Sequence, residues 1–224
     1  MKAVTPSLAA LALLFLAPIV GSAAAQSAPA VARQALTQTL LAGPERAAAL
    51  AQASASLNRI AAVQGRFAQI APNGSRSQGD IYLARPGKMR FQYDAPSPLT
   101  IVSDGSVVAV FDNTSRDVQR LPLRSTPLYY VLKKDVNLER DARIVRVSRS
   151  GDSLLVTARD RTGDADGEIT IIFAGPTYDL REWVVTDGQR QTTRISLSGV
   201  RASGSVNPRL FRVPAGDVGP RKGR

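Results

Sequence analysis

Asp80 and Asp94 flank a short predicted hairpin, and two carboxylates so placed could divide general acid and base work on a bound substrate. Asp164, Asp166 and Glu168 alternate through a polar turn and could offer oxygens to calcium. Their spacing matches no known calcium loop, so a solvated acidic turn is the expected reading. The chain has no histidine and no cysteine, which removes the usual general base, the thiolate nucleophile and most zinc sites together. No nucleophile-elbow, phosphate-loop or dinucleotide fingerprint is present either. No catalytic residue, metal or cofactor is therefore expected, and a carboxylate-dependent envelope hydrolase built on Asp80 and Asp94 stands only as an alternative from another class. The remaining anomaly is a cation. Gly79, Ile81, Leu83 and Arg85 share one face of an extended run, which puts a permanent guanidinium on an apolar side, where acceptors must meet it.

Arg85 stands at the mouth of a Pro86-Gly87 turn between two predicted strands. In the second, Met89, Phe91 and Tyr93 fall on one face and Lys88, Arg90 and Gln92 on the other, the period of two of a strand with one dry side. The same alternation runs through most of the chain. Phe67 sits in an extended run from Gly65 to Ile70, and Pro72 to Ser75 is a turn. Leu99 to Ser103 pairs through Asp104-Gly105 with Val107 to Phe111, a strong hairpin signal, and Asp117 to Leu121 is another short strand. Further strands are read at Ala142 to Ser148, Ser153 to Arg159, Glu168 to Ala174, Leu180 to Thr186 and Gln191 to Val200. Tight turns join them into an antiparallel meander.

Helix is scarce. From Glu45, the residues Leu50, Ala53, Leu57 and Ile60 recur at helical spacing, and Gln64-Gly65 is expected to close that element. Ser125 to Lys134 reads as a short apolar helix, with Thr126 as its N-cap, Pro127 at its first position and Lys133 and Lys134 at its C-terminus. Too short to stand alone, it must lie on something, as either a core plug or a lid; the residues do not choose. A curved antiparallel sheet covered by so little helix can enclose a cavity, and a fully packed core is the rival reading.

Met1-Lys2, an apolar run from Leu8 to Val20 and Ala23-Ala24-Ala25 have the form of an export signal cleaved after Ala25. An uncleaved anchor competes, but the run is shorter than the ~20 residues a spanning helix needs. The expected plan is a signal peptide at 1–25, a flexible arm at 26–44, one domain at 45–214 and a disordered basic tail at 215–224. Twenty-nine Lys and Arg against 18 Asp and Glu give a formal charge of +11. Export argues against nucleic acid as the partner of that charge, which leaves a solvated basic surface or docking to acidic partners and lipid headgroups. Without cysteine the mature chain has no site for an N-terminal lipid anchor.

The chain resembles the periplasmic lipoprotein carrier family (LolA). The matching pieces are Leu57-Asn58-Arg59-Ile60 through Gly65-Arg66-Phe67-Ala68-Gln69, Gly79-Asp80-Ile81-Tyr82-Leu83-Ala84-Arg85-Pro86, Val102-Ser103-Asp104-Gly105, Ser125-Thr126-Pro127-Leu128 and Phe211-Arg212-Val213-Pro214, in family order over roughly 46 to 214. The resemblance implies a mainly β fold with a few helices: an unclosed, strongly curved antiparallel β-barrel, a half-barrel, enclosing a hydrophobic cavity under a helical lid. It implies a soluble, monomeric periplasmic shuttle that takes acylated lipoproteins from an inner-membrane ABC exporter to an outer-membrane receptor. Arg85 matches the family arginine that bonds lid carbonyls and holds the empty form shut, and Leu128 to Leu132 matches the lid. Phe67, Ile81, Leu83, Met89, Phe91, Tyr93, Ile101, Leu128, Val131 and Leu132 are the expected acyl-cavity lining. The chain departs from the best-known members after the turn, where Met89 and Phe91 stand in place of Phe and Trp. A sensor or carrier of free lipid on the same fold is the alternative.

Overall fold

The structure, a computed structural model, describes residues 38–162, 166–204 and 206–213. The expected signal peptide, most of the N-terminal arm, Asp164 and the basic tail lie outside the described residues. Among those described, twelve strands form a single sheet. In chain order they are β1 (Thr39–Leu40), β2 (Ala62–Ile70), β3 (Arg76–Ala84), β4 (Lys88–Tyr93), β5 (Leu99–Asp104), β6 (Val107–Asp112) and β7 (Val118–Pro122). Then follow β8 (Arg143–Ser150), β9 (Ser153–Arg159), β10 (Glu168–Ala174), β11 (Asp179–Thr186) and β12 (Thr192–Ala202). The sheet order is β1-β8-β9-β10-β11-β12-β2-β3-β4-β5-β6-β7, antiparallel throughout. Two meanders are thus stitched together by β12 against β2, and β1 and β7 remain as separate edges. The antiparallel meander read from the residues, and the unclosed sheet that the family resemblance implies, are the architecture found.

Its curl has local causes. Register shifts leave an extra residue in β8 between Ile144 and Arg146, in β11 at Arg181 opposite Ile172 and Phe173, and in β12 between Ser198 and Arg201. Each extra residue bends its strand and raises the twist. The inner face then gathers alternate residues from every meander: Met89, Phe91 and Tyr93 of β4, Leu154, Val156 and Ala158 of β9, Ile169, Ile171 and Phe173 of β10, all buried. Two glycines permit close approach. A Cβ on Gly79 would stand 2.0 Å from the Gln92 carbonyl oxygen and 2.8 Å from the Phe67 ring, so the bare backbone is what makes room for Phe67. Gly87, at φ +74° in the β3–β4 turn, would push a Cβ to 2.5 Å from Gly105 Cα, and glycine alone suits both demands.

Among the described residues three α-helices cover part of the inner face: α1 (Gly43–Arg59), α2 (Tyr129–Leu132) and α3 (Leu138–Asp141). Pro44 and Glu45 start α1 and Arg59 ends it, each at the favoured end of the dipole. Its buried stripe, Ala49, Leu50, Ala53, Ser56 and Leu57, packs toward β8 and β11. Gly65 does not close this helix as the pattern predicted; it lies inside β2. A Cβ there would come within 3.0 Å of the Ser198 oxygen, so Gly65 answers the crowding of β12 rather than a helix end. Thr126 likewise is not the N-cap of α2. Its hydroxyl donates to the Leu123 carbonyl at 2.8 Å and closes a preceding 3-10 turn, and α2 begins at Tyr129. Thr39 and Leu40, expected within a loose arm, pair with Arg149 and Ser148 instead. The last described element is a 3-10 turn, Pro208–Phe211, which packs against β4 and β5 and buries Phe211.

Candidate functional site

Arg85 follows β3 directly and projects toward the helices. Its Nη1 donates to the Leu57 carbonyl at the end of α1. Its Nε and Nη2 both reach the Lys133 carbonyl, Nε at 3.2 Å, and Nη2 also meets Lys134 O and Asn58 Oδ1, each at 3.1 Å. One guanidinium therefore ties the β3–β4 turn to the C-termini of both α1 and α2. Burial pulls its pKa down, with Asp135 opposing. An arginine starts so high that it stays charged, and the neutral acceptors are what solvate it.

Other contacts hold the same cover. Gly87 N–H donates to the Leu132 carbonyl at 2.8 Å. Asn58 reads both backbone groups of Val136, donating through Nδ2 and accepting at Oδ1, each at 2.9 Å. Ser54 Oγ accepts from Leu138 N–H at 3.0 Å. The Lys133 ammonium pairs with Asp141 at 2.6 Å and lies 5.8 Å from the centre of the Tyr129 ring. Burial alone would raise the Asp141 carboxyl, but hydrogen bonds from Arg140, Lys133 and the Asn137 N–H outweigh it and bring the pKa down to about 2. Tyr130 of α2 donates to Asp160 beyond β9.

Beneath this cover lies a hollow of about 80 Å³. Its walls come from β2, β4 and β5 (Gln69, Phe91, Tyr93, Ile101) and from β11 and β12 (Trp183, Val185, Thr193, Ile195). Pro127 and Leu128, just before α2, form the roof, and Asp166, Asp187 and Gln191 complete the lining. The aromatic wall is edge-on: Phe67 meets Phe91 at 4.8 Å and Tyr93 at 4.9 Å, and Phe91 meets Trp183 at 6.1 Å. Gln69 and Arg85 lie toward opposite ends of the sheet. From the Ala62–Ala84 rung to the Gln69–Ser77 rung is seven residues, or roughly 23 Å at strand rise.

Of the residues read as lining, Phe91, Tyr93, Ile101 and Leu128 face the hollow. Phe67, Ile81, Leu83, Met89, Val131 and Leu132 are buried in the packed core around it. Sequence reasoning missed Trp183, Val185 and Ile195, although the alternation of β11 already set Trp183 and Val185 on one face. It missed Gln69 as well, a polar residue on the face of Phe67.

The carboxylates take other parts. Arg66 stands between Asp80 and Asp94, at 2.9 Å from Asp80 Oδ1 and 3.1 Å from Asp94 Oδ1, with a second bond from Nη2 to Asp94. All three belong to the sheet face opposite Phe67 and Ile81. The Arg66 hydrogen bond holds Asp94 below its ordinary range, the wrong direction for a general acid. Glu168 pairs with Arg159 at 3.2 Å. Among the described residues no three His, Cys, Asp or Glu side chains gather as a metal group.

An open, curled antiparallel sheet with a roofed apolar interior defines the structural class. Within that class the chain belongs to the LolA family: the model of "Outer membrane lipoprotein carrier protein LolA" matches residues 58–214. An outer-membrane lipoprotein carrier protein of Nitrosomonas europaea is 27% identical over 186 residues, 79% of this chain and 90% of the relative. One from Chromobacterium violaceum is 29% identical over 179 residues, 76% of this chain and 85% of its own. The crystal structure of a LolA superfamily protein from Nitrosomonas europaea aligns with 75% of this chain and 97% of that one, at 10% identity and a TM-score of 0.45.

Proposed function

We propose that this protein is a periplasmic carrier, without enzymatic activity, that takes the acyl chains of lipoproteins into its roofed interior and delivers them to the outer membrane. The observation that carries this reading is a mainly apolar hollow roofed by Pro127 and Leu128, with Arg85 fastening the far end of the same segment at Lys133 and Lys134. In the closed state the hollow is small beside the 300–1,000 Å³ typical of sites for drug-sized ligands, so cargo must lift Leu128 and the α2 helix that follows it. Burying fourteen methylenes would yield roughly 11 kcal/mol at 0.8 per group. A cavity standing open would keep such a chain. A cover that closes again by Arg85 bonds and by burial of Leu128, Val131 and Leu132 offsets part of that gain and makes hand-over possible without a periplasmic energy source. Arg85 is thus the gate, 45–214 the carrier domain, and the donor and acceptor are an inner-membrane ABC exporter and an outer-membrane receptor.

The test is to express the full chain in a bacterial envelope, purify it and identify what travels with it by mass spectrometry. Acylated polypeptide supports the proposal. Glycerolipid alone would replace it with a free-lipid carrier, and recovery with no acyl material from either wild type or Arg85→Leu would end both readings.

A further inference from the structure

Gln69 is 4% exposed, and among the described residues its Nε2 finds no hydrogen-bond partner. An orphaned donor in a dry interior is costly and rare. Its Oε1 accepts from the Tyr93 hydroxyl at 2.7 Å. Burial pushes the Tyr93 phenol strongly up, against the smaller opposing effect of the Gln69 bond. The phenol keeps its proton and donates it, which commits the amide oxygen and leaves the NH₂ as the unspent group of the side chain. Gln69 is also a wall residue of that hollow, with Ile195 paired beside it and Trp183 beyond. A buried amide with an unspent donor, set among Phe91, Tyr93, Ile101, Trp183 and Ile195, is the kind of sparse polar group by which mainly apolar sites fix a ligand's orientation.

Resting on the carrier reading above, we propose that the Gln69 amide is the point at which the hollow recognises the carbonyl of an acyl group. The chemistry required of the ligand is a carbonyl acceptor attached to a long hydrocarbon. Fatty esters and fatty amides both supply it, and a bare alkyl chain does not. Asp187 and Gln191, which also line the hollow, give the polar head beyond the carbonyl its neighbours while the hydrocarbon runs under Leu128. Gln69 is then a specificity residue: it selects acyl groups over hydrocarbon of equal length and sets how deep they sit.

The test is displacement of a fluorescent naphthylamine probe from the full-length protein by three ligands of matched length: methyl palmitate, N-methylpalmitamide and octadecane. Wild type is expected to bind a carbonyl ligand about tenfold more tightly than octadecane, a difference of about 1.4 kcal/mol. Gln69→Leu and Gln69→Met are expected to abolish that ratio, whatever their absolute affinity for octadecane, with their fold certified separately by circular dichroism and a cooperative thermal transition. The ester and amide arms show which linkage is preferred. A second measurement needs no variant: the side-chain amide ¹⁵N–¹H signal of Gln69 shifts with the ester and stays put with octadecane. Equal affinities in wild type, a ratio that survives Gln69→Leu or Gln69→Met, or an unmoved amide signal would overturn the assignment and leave the carrier reading standing. Failure of all three ligands to displace the probe would strike the carrier reading itself.

Discussion

Arg85 and Lys133 are 48 residues apart in the chain, yet the guanidinium grips the Lys133 carbonyl through Nε at 3.2 Å and again through Nη2. The bond joins a strand end to a helix end, so breaking it frees the roof and leaves the sheet intact. Arg85→Leu is expected to raise the open fraction roughly 5- to 150-fold, from the ~1–3 kcal/mol that such bonds carry. Apolar probes should bind more tightly, and transfer of loaded lipoprotein to acceptor membranes should slow by a similar factor. Arg85→Lys keeps the charge and loses the fork, and should fall between. Probe affinity and transfer rate equal to wild type in Arg85→Leu would remove the gate.

Arg85 was legible because a period of two is unforgiving: one cation on the dry side of a strand stands out against Ile81 and Leu83. The walls of the hollow were harder to read. Trp183, Ile195 and Gln69 meet only because β12 pairs with β2 across the chain, and no local pattern encodes that pairing. Gly65 and Thr126 misled for a related reason. Both carry strong local signals for helix ends, and each is used instead for a contact with a neighbouring segment, Gly65 with β12 and Thr126 with Leu123. The four residues of α3 are too few to show a helical period.

Asn58 donates to and accepts from the backbone of Val136, a buried residue, and its Oδ1 also receives Arg85. Asn58→Ala leaves both Val136 groups unpaired and is expected to destabilise the fold by about 1–3 kcal/mol. The loss should be local. Hydrogen exchange at Val136 and Leu138 should accelerate while amides of β9 and β10 keep their protection; uniform acceleration across the sheet would mean that the 133–141 segment is not a separable cover.

Gly79 faces a different limit. Because a Cβ would fall 2.0 Å from the Gln92 carbonyl oxygen, Gly79→Ala must move a backbone already paired on both sides. Overpacking of this kind costs about 3 kcal/mol, and the urea midpoint should fall accordingly with little change in slope. The companion change Phe67→Leu withdraws the ring from the 2.8 Å contact but not the backbone clash, so it should rescue Gly79→Ala only slightly.

The cover is also acid-sensitive. Asp141, lowered to about 2, binds Lys133 and Arg140 as a carboxylate. Its folded pKa lies below that of the unfolded chain, so its contribution is complete above the ordinary carboxylate range near pH 4 and is lost as pH falls toward about 2. Lys133 then loses its partner beside the Arg85 latch. The stability difference between wild type and Asp141→Asn should be constant at neutral pH and shrink between pH 4 and 2; a difference that ignores pH there would show that the ion pair contributes nothing.

Trp183 is the chain's only tryptophan and stands in the wall of the hollow, 6.1 Å from Phe91. Its emission therefore reports the interior and nothing else. An acyl chain entering beneath Leu128 must replace some of the packing around the indole, so emission should shift as ligand is added and saturate with the probe-displacement curve. Fatty esters brominated along the chain sharpen the point, because a heavy atom quenches only at contact. Bromine near mid-chain should quench strongly if the carbonyl rests at Gln69, with weaker quenching from bromine at the far end. Strong quenching from the far end alone would mean that the chain enters in the opposite sense. Absence of quenching at every position would mean that acyl chains lie elsewhere on the molecule.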